Sequence, residues 1–93
     1  MMNKRAIRQI WDFLEAEGPN GSRVRLDINE ATVLLYLLRR EPAVVSLESM
    51  AKAVFGDKSK TGTVGTYVMR LRRKLGEGRI LTIRGRGYRM GAA

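Results

Sequence analysis

The sequence predicts a small α+β domain, mostly α, with a three-helix core, a C-terminal β-hairpin and an extra helix at the N-terminus. Three observations carry this expectation. Apolar residues recur at helical spacing in four separate stretches, Gly and Pro punctuate the chain between them, and a basic helix runs directly into a basic hairpin broken by glycines.

Residues 3–17 place Ile7, Ile10, Trp11 and Leu14 at spacings suited to one face of a helix, which Gly18-Pro19-Asn20-Gly21 then stops. Arg23 to Leu26 alternates as a short strand. Asp27 is placed to cap the next helix, residues 28–40, with Glu30 closing the reciprocal bond. That helix is apolar around most of its circumference through Ala31, Val33, Leu34, Leu35, Leu37 and Leu38, so it is expected at the centre of the core. Pro42 blocks its continuation and Ser46 caps a second helix, residues 47–55, which turns Leu47, Met50, Ala51, Val54 and Phe55 inward and stops at Gly56. A polar loop, DKSKT, leads to the third helix, residues 62–75. There Val64, Val68, Leu71 and Leu75 form one narrow stripe, with Thr63, Thr66, Arg70 and Arg73 opposite, Tyr67 at the margin and Arg72 and Lys74 on the flanks. The hairpin over residues 79–90 takes its turn from Arg84-Gly85-Arg86-Gly87 and returns through Tyr88-Arg89-Met90.

Charge is distributed one-sidedly. Residues 1–57 hold eight basic and eight acidic residues, whereas residues 58–93 hold ten basic residues and one acid, Glu77, so the whole net charge of +9 lies on the C-terminal part. A field of that kind attracts a polyanion. The helix stripe is narrow and aliphatic, with no Trp or Phe among the basic residues, which disfavours a membrane surface. Without Cys or His, thiolate and imidazole chemistry is absent, and the nine carboxylates form no nucleophile-base pair or metal cluster; the chain is not expected to be an enzyme or to take a cofactor. No apolar run spans a membrane and no signal peptide is evident, so a reducing, bacterial-type cytoplasm and association with the nucleoid are expected. At 93 residues the chain makes one domain.

Helix, short loop, helix is the order in which a second helix enters the DNA major groove. A solvated surface helix is the plainer reading of residues 62–75, and a tight turn is the plainer reading of Gly85 and Gly87. The hairpin arginines, suited to a narrow minor groove, favour DNA. The stretches LDINEATVLLYLLRR, VVSLESMAKAVFG, TVGTYVMRLRRKL and TIRGRGYRM resemble the winged helix-turn-helix effector domain of OmpR/PhoB-type response regulators over about residues 22–90. The resemblance implies sequence-specific binding of double-stranded DNA and regulation of transcription. It places Thr63, Thr66, Tyr67, Arg70 and Arg72 at positions that contact DNA from the recognition helix, Arg84 at the wing position that enters the minor groove, and Thr82 at a phosphate-contacting position. From the residues themselves, Arg73 joins the base-reading set, Arg72 and Lys74 are expected to hold phosphates, and Arg86 accompanies Arg84.

The departures from the family pattern are informative. The family normally carries a receiver domain ahead of this one, for which the chain has no room, and it opens with a small antiparallel sheet where residues 3–17 read here as a helix. That combination leads to the expectation of a standalone domain. Gly62 and Met69 replace a phosphate-binding arginine and a polar residue, Gly65 interrupts the recognition helix, and the loop before it is about two residues short. In some members that loop touches RNA polymerase. The N-terminal helix has two outlets for its apolar stripe, the domain's own core or a homodimer. The alternatives to a DNA reader are a module that binds RNA polymerase or another regulator and, with less support because few aromatic residues lie on the basic surface, an RNA binder.

Overall fold

A computed structural model describes residues 7–10 and 13–91, with side chains from residue 14 onward. Strands β1 (Ile7–Ile10), β2 (Phe13–Glu17) and β3 (Arg23–Leu26) form an antiparallel sheet in that order. Helices α1 (Ile28–Arg40), α2 (Leu47–Phe55) and α3 (Thr61–Leu75) follow, and β4 (Ile80–Ile83) pairs with β5 (Gly87–Met90) in a hairpin. The predicted three-helix core and C-terminal hairpin are present. The boundaries of β3, α1 and α2 fall on the predicted residues, and α3 starts one residue early, at Thr61.

The N-terminal helix expected over residues 3–17 is corrected by the structure, which has two antiparallel strands there, pairing Ile7 with Ala16 and Ile10 with Phe13. Residues 3–6 and Trp11-Asp12 lie outside the described residues. The physical reason is a period of two that the 7, 10, 11, 14 pattern obscured. Leu14 and Ala16 pair with Leu26 and Val24, and these four side chains pack on the core. On the alternate positions Glu15 faces Arg25 and Glu17 faces Arg23, and Arg23 donates to the Glu15 carboxylate at 2.8 Å. Opposite charges across paired strands and a shared apolar face outweigh a helical stripe that would have left those pairs unmade. The homodimer expectation rested on Ile7, Ile10 and Trp11, whose side chains lie outside the described residues.

The helices obey their sequence signals. Asp27 accepts the Glu30 amide at 2.7 Å while the Glu30 carboxylate accepts the Asp27 amide at 2.9 Å, completing the capping box. Ser46 accepts the Ser49 amide at 3.1 Å at the start of α2. Val33, Leu34 and Leu37 of α1, Met50 and Ala51 of α2, and Val64, Val68 and Leu71 of α3 are fully enclosed. The α3 stripe is thus the predicted one, and α3 packs on both other helices.

The wing closes on the helical core through an isolated bridge. Val45, between α1 and α2, exchanges two backbone hydrogen bonds with Tyr88, at 2.7 and 2.9 Å. Gly87, next to it, has φ +143 and its missing Cβ would strike the Val45 carbonyl, so this glycine serves a close backbone approach as well as a turn. Gly85, by contrast, supplies only φ +74 within the turn closed by Arg86 N–H to Ile83 C=O.

Gly65 has no such constraint, since a Cβ there would meet only the Tyr88 hydroxyl at an ordinary 3.9 Å. Gly65→Ala is expected to raise stability by up to about 1 kcal/mol, whereas Gly87→Ala should destabilise by several times that amount through the clash and the strained φ. Urea denaturation of the two variants measures both effects.

Candidate nucleic-acid interface

Three sides of helix α3 are engaged within the molecule. Its apolar stripe is buried, one flank is tied to α1, and the other is tied to the wing. On the α1 flank, Lys74 Nζ donates to the Glu30 carboxylate at 2.7 Å and to the Arg25 carbonyl at 2.8 Å. Glu30 is only 2 % exposed, so this pair meets the need of a buried charge for partners. Two turns earlier, Tyr67 is half-buried, its ring 5.7 Å from that of Phe55 and its hydroxyl accepting from Asn29 Nδ2 at 3.2 Å.

On the wing flank, Arg72 donates through Nε to the Ile80 carbonyl at 3.0 Å and through its terminal nitrogen to the Thr82 hydroxyl at 2.7 Å. Its guanidinium also lies over the Tyr88 ring, 5.5 Å from the centroid. Lys74, Arg72 and Thr82, expected from the sequence to hold phosphates, therefore have partners inside the molecule. The three basic residues of the last turn, Arg72, Arg73 and Lys74, also sit where the helix dipole favours cations.

What remains is one solvent face. Thr63, Thr66, Met69, Arg70 and Arg73 are exposed along it, at the 3.6-residue spacing of a single helix side. The Thr66 hydroxyl bonds back to the Gly62 carbonyl at 3.2 Å, which turns its methyl away from that bond. Arg70 lies over the Tyr67 ring, 5.0 Å from the centroid, with a terminal nitrogen 3.8 Å from the Asp27 carboxylate. α3 contains no acidic residue. At the tip of the hairpin Arg84 and Arg86 are exposed. The face thus offers hydroxyl, methyl and guanidinium groups from a rigid rod, with a cationic turn anchored to the same rod by Arg72.

Two residues at this surface were not among the contacts expected from the sequence. Met69 is 55 % exposed, and its place three residues after Thr66 would have put it on the solvent face. Asp27 was read only as a helix cap; its second partner, Arg70, is distant in sequence and no local pattern marks it.

The loop leading to α3 is shaped by Asp57, which accepts the Ser59 hydroxyl at 2.7 Å and the Ser59 amide at 2.9 Å. These bonds, with nearby Lys60, hold the Asp57 carboxyl below the ordinary aspartate value. Among the described residues no group of side chains could hold a metal ion, and no helix is long and apolar enough to cross a membrane.

Comparison with known proteins bears on this surface. The family described as "Transcriptional regulatory protein, C terminal" matches residues 21–90. The transcriptional regulatory proteins CutR of Streptomyces coelicolor and Streptomyces lividans are each 40% identical over 74 residues, covering 76% of this chain and 34% of theirs. The chain therefore spans about a third of the length of these relatives. Among solved structures, the C-terminal domain of the nisin resistance regulator NsrR, a lantibiotic response regulator, superimposes with TM-score 0.71 at 25% identity, covering 100% of this chain and 99% of that one. The DNA-binding domain of Bacillus subtilis CssR does so with TM-score 0.70 at 31% identity, covering 90% and 98%.

Because Arg72 clamps the wing, Arg72→Ala is expected to lower stability by about 1–2 kcal/mol and to speed amide hydrogen exchange in β4 and β5. A residue that served only to hold phosphate would leave both unchanged, so denaturation and exchange without DNA separate the two roles.

Proposed function

The chain belongs to the OmpR/PhoB-type family of transcriptional regulatory C-terminal domains, DNA-binding domains that act in transcription, and from that membership we propose a sequence-specific reader of double-stranded DNA. In this reading α3 lies in the major groove and the β4–β5 wing reaches the adjacent minor groove. The observation that carries it is the division of α3 into a buried stripe, two flanks engaged within the molecule and one solvent face of Thr63, Thr66, Met69, Arg70 and Arg73.

The chemistry follows from those groups. Arg70 and Arg73 donate to guanine O6 and N7, and the Thr66 and Met69 methyl groups meet thymine methyls. Thr63, near the helix start, contacts a base edge or the sugar-phosphate backbone. Tyr67 acts mainly as the platform beneath Arg70. Arg84 and Arg86 occupy the minor groove where it is narrow and its potential most negative. Lys74, Arg72 and Thr82 keep the reading head in shape, which leaves fewer groups to neutralise phosphates than the raw charge suggests.

A second reading, contact with RNA polymerase or another regulator, draws on a different surface. An open groove of about 720 Å³ is lined by Tyr36, Glu48, Lys52, Ala53, Asp57 and Lys58, between the helices and the loop before α3. Its mixed charges distinguish it from the basic face. Ala53→Glu should leave DNA affinity unchanged and lower transcription from a target promoter if this groove meets polymerase; unchanged transcription in a reconstituted assay would count against it.

For the principal reading, duplexes selected from a random pool are expected to share a motif bound roughly a thousandfold better than scrambled DNA. Arg70→Ala should cost about 1–3 kcal/mol on the selected duplex and relax preference at one base pair. Equal weakening on selected and scrambled duplexes would make Arg70 a phosphate contact only.

A further inference from the structure

We propose that Asp27 is a specificity-determining residue that keeps Arg70 from binding phosphates indiscriminately; the inference rests on the DNA-reading role proposed above. The Asp27 carboxylate has two occupations. One oxygen accepts the Glu30 amide at 2.7 Å, and the other lies 3.8 Å from the Arg70 guanidinium. The first bond fixes the second: a carboxylate held by the helix start cannot swing away, and the Asp27 backbone is held in turn by the Glu30 side chain at 2.9 Å. The result is a stationary negative charge beside a helix that carries no acid of its own.

The separation of 3.8 Å matters, because it is an ion pair and not a tight, bidentate hydrogen-bonded fork. Arg70 is half exposed, rests over Tyr67 and can be drawn outward by a partner of better geometry. Guanine offers two fixed acceptors and is such a partner. A phosphate offers charge, but it approaches against the repulsion of Asp27 and finds Arg70 already partly neutralised. Asp27 therefore lowers the affinity for DNA in general more than the affinity for the correct site. It acts as the repulsive element that discrimination between partners commonly needs.

The capping role can be separated from the electrostatic one. Asn serves as a helix cap about as well as Asp, so Asp27→Asn keeps the Glu30 amide bond and the fold while removing the charge; Asp27→Ser, also a good cap, provides a second variant. The test measures affinity for a pool-selected duplex and for its scrambled counterpart across a salt series, in wild type, D27N, D27S, R70A and D27N/R70A.

D27N and D27S are expected to bind scrambled DNA about two- to fivefold more tightly, the range an exposed ion pair supports, with a log–log salt slope steeper by about 0.9, one further phosphate neutralised. The selected duplex should gain less, so the ratio of the two affinities falls. In the R70A background the gain from D27N should shrink below about twofold. An unchanged ratio in D27N and D27S, with R70A still relaxing sequence preference, would overturn this inference alone and leave Asp27 a helix cap. An equal gain with and without Arg70 would also overturn it, reducing Asp27 to bulk charge. If R70A itself leaves the ratio unchanged, the base-reading role of Arg70 fails and the inference fails with it.

Discussion

The position of helix α3 depends on one buried carboxylate. Glu30 sits almost wholly out of solvent, and a single one of its oxygens accepts both the Asp27 amide and the Lys74 ammonium. Lys74 reaches on to the Arg25 carbonyl. Those bonds join the end of β3, the first turn of α1 and the last turn of α3. A buried charge without partners is costly, so arrangements that separate these three elements are penalised. The capping box and the placement of α3 are therefore one device, and the helix start that looks local in sequence sets the register of a helix far along the chain.

With that register set, the remaining polar contacts of α3 sort themselves by side. Tyr67 meets Asn29 toward α1, and Arg72 meets Ile80 and Thr82 toward the wing. Both flanks are occupied by residues that a charge count assigns to an external polyanion. Their engagement is what makes the outer face narrow and well defined. Basic composition supplies attraction to a polyanion, whereas the internal bonds of Arg72 and Lys74 hold rigid the helix that carries the outward side chains.

Much of this architecture was legible in the sequence. The periodic stripe of Val64, Val68, Leu71 and Leu75, the caps at Asp27 and Ser46 and the glycine-broken turn at Gly85 are local signals, and each has its expected place in the structure. The N-terminal sheet was hidden because Ile7, Ile10 and Leu14 satisfy a helical spacing by coincidence, while the evidence for strands lies in charge pairing with Arg23 and Arg25, visible only once the strands are aligned. The division of the basic residues into internal and external was equally hidden. Lys74 and Arg72 differ from Arg73 and Arg70 by position on the helix and by what lies beside them, and those neighbours come from Glu30 and Thr82, remote in sequence.

The bridge between Val45 and Tyr88 also bears on how the domain holds together in time. It ties the link ahead of α2 to the returning strand of the wing, so α2, α3 and the wing turn all lie within one long loop whose neck is two hydrogen bonds. Closing so long a loop costs chain entropy, which the contacts made where its ends meet must offset. Helix α3 and the wing are therefore tied into one unit: opening the neck exposes the Val45 and Gly87 backbone together and loosens the loop between them.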